Sequence, residues 1–306
     1  MRIGSTQILD TYAEAFGARY TRLIITAAEP HWLNAALQSI AGYGTSVLGC
    51  DAEAGVERLL PADESPDGRP AAAVLLFGFS AESVGQAAQH RVGQCVLTCP
   101  TTACFNGLPD AAETYSLGKY LRYFGDGFEE QGAGSREQAV GKQTSSGSPI
   151  WRIPVMDGEF LIEATAGVAK GVAGGNIILQ GATQAAALAA AGRAAGAVAP
   201  LAGVITPFPG GVCRSGSKVG SKYKALVAST AEEYCPTLRA RARSALVDGA
   251  TCAYEIVIDG VDQSAVAAAM RAAIEAAAGD GVLAIGAGNY GGRLGKYPIR
   301  LHELFA

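Results

Sequence analysis

The chain has 306 residues, 49% of them hydrophobic and 17% charged, with a formal net charge of −4. That length supplies one large domain or two ordinary ones with ample core material, and the acidic balance argues against a general nucleic-acid binder, whose footprint is basic. Seven cysteines are an odd number, and Cys95, Cys99 and Cys104 do not have zinc-ligand spacing, so buried free thiols and no metal are expected.

The elements follow in chain order. Asp10 and Glu14 stand where a signal peptide would be apolar, so a cytoplasmic protein is expected. Residues 21–27, TRLIITA, predict a strand. Pro30 opens a helix in which Leu33, Ala36, Leu37 and Ile40 recur at helical spacing until Gly42. SVLGC (46–50) predicts a second strand and AVLLFGF (73–79) a third, separated by PADESPDGRP, in which Asp67 and Gly68 mark a turn. Ser80 caps a helix carrying Val84, Ala88 and Val92, and CVLTC (95–99) predicts a fourth strand. The polar Gly/Ser-rich segment 129–148 is expected to be poorly ordered or to face a partner. A hairpin follows, WRIPVM and EFLIEAT joined at Asp157-Gly158, a pair that favours a type I′ turn.

The second half repeats the order. NIILQG (176–181) predicts a strand, Thr183 caps an Ala-rich helix, and GVIT (203–206) is the next strand. The run 185–204 contains Arg193 and is broken by Pro200, so it reads as a soluble helix and strand rather than a membrane span. AYEIVID (253–259), a helix opened by Asp262 with Val266, Met270 and Ile274 on one face, and VLAIG (282–286) complete the set. Two βαββαβ units in tandem imply an α+β, duplicated ferredoxin-like fold with antiparallel sheets, one lobe in residues 1–150 and the other in 151–306. LGKY stands at both 117–120 and 294–297.

Between the strand at 203–206 and Tyr223 the chain reads TPFPGGVCRSGSKVGSKY. Glycines let backbone N–H groups approach a ligand, and serine hydroxyls add short donors. Arg214, Lys218 and Lys222 are spaced by four and would cluster if the segment coils. The stretch reads either as a loop that holds oxyanions or as a mobile surface loop. It is not a Walker A loop, because Ser217 stands where the lysine is needed. Gly286, Gly288 and Gly291 fit Gly-x-Gly-x-x-Gly, but Pro298 and the end at Ala306 leave no crossover helix for a dinucleotide fold.

The three histidines, His31, His90 and His302, form no acid–base pattern. The carboxylate of interest is Glu255. Alternation along 253–259 puts Tyr254, Ile256 and Ile258 on one face and Glu255, Val257 and Asp259 on the other. Packing of the isoleucine face on helices leaves Glu255 either as an exposed strand glutamate or as a half-withdrawn carboxyl with a raised pKa. GVAGGN (171–176) places Gly174, Gly175 and Asn176 before a strand, where the backbone turns sharply or approaches something closely. Asn176, like Asn289 in GAGNYGG, either donates to a ligand or closes a turn.

Together, GTSVLGCDAEAG (44–55), SPDGRP (65–70), RVGQCVLTCPT (91–101), YFGDGFEE (123–130), IPVMDGEFLIE (153–163), GVAGGN (171–176), PFPGGVCRSGSKVGSK (207–222), YCPT (234–237), YEIVIDG (254–260) and AGNYGGRLGKY (287–297) resemble the formylmethanofuran:tetrahydromethanopterin formyltransferases almost end to end. The insertion near 131–148 and the Ala/Arg-rich helices depart from the family pattern. Those helices resemble the methylotrophic bacterial form, the formyltransferase subunit of a formyltransferase/hydrolase complex.

The resemblance implies two ferredoxin-like lobes, a homodimer or homotetramer, hydrolase subunits as partners, and no tightly bound cofactor. Tetrahydromethanopterin and methanofuran or methylofuran would be the carrier cosubstrates, exchanging a formyl group in the oxidation of formaldehyde to formate. It assigns catalysis to Glu255, which corresponds to the family's glutamate. Both carriers have anionic tails, so Arg214, Ser215, Ser217, Lys218 and Lys222 are the expected tail-binding set. Ser215, Ser217 and Asn289 are oxyanion-donor candidates, and Gly174 and Gly175 would let a substrate lie against the backbone. A non-catalytic subunit that binds the carrier and docks a hydrolase is the alternative. An RNA-binding module is disfavoured by the negative charge and the absence of aromatic strand motifs.

Overall fold

The computed structural model describes residues 1–125 and 148–306. The Gly/Ser-rich segment expected at 129–148 lies outside the described residues, except for Ser148. The chain divides into two compact units, one of residues 19–44 and 51–170, the other of 1–18, 45–50 and 171–306. Their strands pair mostly antiparallel, and few helices accompany them.

In the first-named unit, β1 (Tyr12–Thr26), which enters it at residue 19, leads to α1 (Pro30–Ala41), β2 (Glu53–Leu60), β3 (Ala71–Gly78), α2 (Ala81–Arg91) and β4 (Ala103–Asn106). β1 lies between β3 and β4, with Leu23 opposite both Val74 and Asn106, and β2 continues outward from β3. Helix α1 begins at Pro30, whose fixed φ suits a first helical position. In α2 the Ser80 and Ser83 side chains each bond the other's backbone N–H, a capping box. Leu33, Leu37, Ile40 and Val84 are buried, the first three in one core with Leu23, Val74 and Leu76.

Three expectations fail between residues 46 and 158. Residues 46–50 form a turn, with Gly49 and Cys50 both donating to the Ser46 carbonyl, and the strand lies later, at β2. Its charged residues hid it: Glu57 is buried, and Arg22 meets it through two bonds of 2.6 and 2.7 Å. The run at 95–99 is not a strand either. A π-helical turn, Val92–Val96, prolongs α2 and buries Val92 and Val96, and the strand follows at β4. A short apolar run has the same periodicity in either state. Finally, β5 (Ile150–Val155) and β6 (Gly158–Glu163) form the expected hairpin, but Val155 pairs with Gly158, so Met156 and Asp157 occupy the turn. Neither has positive φ, which rules out type I′; the Asp157 carboxylate instead accepts the Thr101 N–H at 2.8 Å. β6 runs parallel to β4 and extends this unit's sheet.

In the other unit, β7 (Thr165–Gly181) enters at residue 171, followed by α3 (Gln184–Val198), β8 (Val204–Ile205), β9 (Cys252–Gly260), α4 (Gln263–Ala277) and β10 (Val282–Gly286). β7 lies between β9 and β10, with Ile178 opposite both Glu255 and Gly286, and β8 pairs on the outer side of β9. The Thr183 hydroxyl and the Asp262 carboxylate accept from Ala186 and Ala265 N–H, the caps the sequence predicts. Ala190, Ala191 and Ala194 of α3 and Val266, Met270 and Ile274 of α4 share a core with Ile177, Leu179, Ile256 and Ile258. Each fully buried isoleucine contributes roughly 1.5–3 kcal/mol. No helix among the described residues is long and apolar enough to cross a membrane.

Of the seven free cysteines, Cys104 and Cys213 are buried and the other five only partly so, contrary to a uniformly buried set.

Candidate active site

Alternation puts the apolar residues of β7 and β9 against α3 and α4 and turns the polar ones the other way. The face away from the helices carries Asn176, Gln180, Glu255 and Asp259, all buried beneath irregular segments. A buried polar group needs a partner, and here most of these partners are backbone. Asn176 accepts from Gly288 N–H at 2.6 Å and donates to the carbonyls of Gly288 and Gly174. Gln180 accepts from Val247 N–H and donates to the Ala245 carbonyl. Asp259 accepts the Gly174 N–H at 2.9 Å.

Glu255 is 6% exposed. Its backbone exchanges two hydrogen bonds with Cys213, and its Oε1 accepts the Ser217 hydroxyl at 2.8 Å. Burial pushes its carboxyl up to about 7; the Ser217 hydrogen bonds oppose that, and the charge of Glu233 adds to it. The surrounding groups hold their protons. Burial raises the Cys213 thiol, lifts the Tyr234 phenol to about 12, and raises the Tyr290 phenol, with Glu255 adding in each case. A single carboxyl near neutrality among donors that stay neutral can accept and return a proton.

An open hollow of about 990 Å³ is lined by residues that include Lys218, Lys222, Arg241, Arg243, Glu232 and Glu233, though not by Glu255 itself; Glu233, whose charge acts on Glu255, connects the two. The segment 206–223 does not coil. After a turn at Pro209–Gly211 it bridges to Glu255 at Cys213, then forms a short strand, Lys218–Val219, paired with Ala228–Ser229. Helical clustering of Arg214, Lys218 and Lys222 is therefore absent. Lys218 and Lys222 still meet at the hollow, whereas Arg214 is exposed and outside its lining. Lys218 is bound to Glu232 at 2.5 and 2.6 Å, which holds that carboxyl below the usual range.

The other predicted residues have local tasks. The Ser215 hydroxyl donates to the Gly216 carbonyl. Asn289 donates to the Tyr12 carbonyl and accepts from Gly291 N–H, closing its own loop. Gly174 has φ of +81°, and a Cβ there would meet the Phe16 ring. At Gly175 a Cβ would lie 2.2 Å from Val266 Cγ1 and 3.2 Å from the Ile258 carbonyl. The approach of α4 to β7 leaves no space for a side chain at that position.

Glu14, Cys213, Glu233, Tyr234 and Tyr290 are the neighbours that sequence reasoning missed. Only Glu14 left a signal, a lone acid inside the apolar run YAEAFG. Tyr234 and Tyr290 sit in irregular segments without periodicity.

Two family models match the chain: "Formylmethanofuran-tetrahydromethanopterin formyltransferase" over residues 1–155 and "FTR, proximal lobe" over 158–304. A formylmethanofuran–tetrahydromethanopterin formyltransferase of Methylococcus capsulatus is 47% identical over all of both chains. The formylmethanofuran:tetrahydromethanopterin formyltransferase structure from Methanosarcina barkeri superposes with a TM-score of 0.89 at 44% identity, covering both chains fully. A chain of the formyltransferase/hydrolase complex from Methylorubrum extorquens, crystallised with methylofuran, superposes with a TM-score of 0.90 at 43% identity, covering 100% of this chain and 99% of that one.

Proposed function

Because the chain belongs to the formylmethanofuran–tetrahydromethanopterin formyltransferase family, we propose that Glu255 carries the proton in its transfer of a formyl group between the two carriers. The enzyme is an N-formyltransferase. It uses tetrahydromethanopterin and methanofuran or methylofuran as carriers.

The amine of the acceptor carrier attacks the formyl carbon, and a C–N bond forms while the C=O pair moves onto oxygen. The attacking nitrogen then gives its proton to the Glu255 carboxylate. Glu255 returns that proton to the departing nitrogen as the old C–N bond breaks and the C=O re-forms. No atom is left on the protein, and the carboxyl ends as it began. Such a cycle needs a group that loses and gains a proton with equal ease near neutral pH, and a carboxyl raised to about 7 is one. That observation carries the proposal.

The cations at the hollow, Lys222, Arg241 and Arg243, suit the anionic tails of the carriers through charge-assisted hydrogen bonds. Arg214, Ser215 and Ser217 border the same segment and remain candidate contacts, as does Asn289. Of these, Ser217 has a second task, since its hydroxyl already serves Glu255.

Each unit contains a βαββαβ repeat, one within residues 1–150 and one within 151–306. The same strand order in both, last–first–third–second, supports reading them as duplicated ferredoxin-like lobes. Hydrolase subunits as partners, a homodimer or homotetramer, and a cytoplasmic location complete the proposal. The complex that holds the similar chain of Methylorubrum extorquens supports the first of these.

The test is transfer by the purified chain, followed by pterin absorbance with a formylfuran partner. Glu255→Gln should slow turnover by roughly a hundred- to ten-thousand-fold, the range for loss of a general acid–base group. Near-normal turnover in that variant would remove Glu255 from the mechanism. Inactivity of the parent chain with competent carriers would favour a docking subunit without catalysis.

A further inference from the structure

Glu14, on β1, is 1% exposed, and among the described residues it forms no ion pair. Its two oxygens accept four backbone N–H groups of one loop. Oε2 takes Tyr290 at 2.7 Å and Gly292 at 2.8 Å; Oε1 takes Leu294 at 2.5 Å and Gly295 at 2.7 Å. Burial pushes this carboxyl up, but the four donors together outweigh burial and hold it below the usual range. Gly291 and Gly292 have φ of +72° and +75°; the Gly292 N–H reaches Glu14, and that of Gly291 donates to the Asn289 side chain. Gly295 fits where a Cβ would stand 2.5 Å from the Ala15 carbonyl. The loop is built around a carboxylate; an amide, with one acceptor oxygen and an NH₂ donor, would face donors on one side.

Tyr290 projects from this loop beside the Phe16 ring. Its hydroxyl donates to the Ser217 carbonyl at 3.1 Å and accepts the Val219 N–H at 3.0 Å. It thus pins the backbone on both sides of Lys218, next to Ser217, whose hydroxyl is bonded to Glu255.

We propose that Glu14 is a positioning residue for formyl transfer: through the 290–295 backbone and the Tyr290 hydroxyl it fixes Ser217, and through Ser217 the Glu255 carboxyl. This rests on the proton-carrying role of Glu255. The groups facing Glu255 are Cys213 and Ser217 from the segment bridged to it, Glu233 and Tyr234 from the turn at Glu232–Tyr234, and Tyr290 from the loop. Only the Ser217 bond both favours the charged form and depends on the loop. Loosening it therefore raises the pH at which Glu255 ionises.

The test uses the full chain with Glu14→Gln and Tyr290→Phe, each checked for folding by circular dichroism. Glu14→Gln should lower kcat by roughly tenfold or more, change KM for either carrier by less than about threefold, and move the acidic limb of the rate profile upward. Tyr290→Phe leaves all four bonds to Glu14 in place and should shift the limb in the same direction. The double variant should add less than about threefold to the worse single one, because both act through one chain of contacts. The titration of Glu255 is read separately, in ligand-free protein, as the infrared carboxyl band that Glu255→Gln removes. If that titration is unchanged in the folded variants, the positioning role is overturned even where turnover falls. If Glu14→Gln does not fold, Tyr290→Phe alone decides. A fully active Glu255→Gln would instead overturn the proton-carrying role, a result the infrared titration does not share.

Discussion

At position 255 the protein buries an acid that forms no ion pair among the described residues, and the cost of charging that acid should be visible in stability. Its folded pKa is about 7 against an ordinary 4.5, so between these values the folded form holds a proton that the unfolded chain has released. Stability from this group is complete below about pH 4.5 and is lost as pH rises through 7. Glu255→Gln has no charge to bury. The stability of the variant relative to the parent should therefore grow by up to about 3 kcal/mol between pH 5 and pH 8.5, as measured by urea unfolding at each pH. A difference that does not change with pH would mean Glu255 is not buried with this shift. Strand alternation made the facing of Glu255 legible, since Tyr254, Ile256 and Ile258 identify the helix-packed face. Its cover was not legible: Cys213 and Ser217 come from a segment with no period. Asn176 and Asn289 carried two readings in sequence, and the structure engages both with backbone groups.

Among the elements, caps and buried helix faces were readable because each depends on residues close in sequence. Pro30, Ser80, Thr183 and Asp262 all stand where their helices begin. Thr183→Ala should cost about 1 kcal/mol, the usual worth of a helix N-cap. Two strands were not readable, because a distant partner decides them. β2 holds Glu57 inside against Arg22, and Val92–Val96 prolongs a helix whose buried side already contains Val84 and Ala88. Close packing sets a further constraint at Gly175. Gly175→Ala must displace Val266 and should destabilise the protein by about 1–3 kcal/mol, read as a lower urea midpoint. An unchanged midpoint would show that α4 moves freely on β7.

For the whole molecule, an acidic chain places cations where the carriers' anionic tails are proposed to bind. Lys222, Arg241 and Arg243 line the hollow, and Lys218 is already held by Glu232. Changing Lys222, Arg241 or Arg243 to Ala should raise KM for a carrier by about tenfold per charge-assisted bond lost, weaken the salt dependence of KM and leave kcat within about threefold. Loss of kcat alone would place the tails elsewhere. Arg241 and Arg243 gave no sequence signal, because they belong to a segment with neither periodicity nor a motif. The mixture of helices with mostly antiparallel strands was legible, since it needs only the kinds of element and not their ends. The account stands on proton transfer through Glu255, and the pH dependence of kcat/KM for the parent chain and for Glu255→Gln tests it most directly. The account predicts an acidic limb with an apparent pKa near 7 in the parent and its disappearance, along with most of the rate, in the variant. The same limb persisting in Glu255→Gln would contradict it.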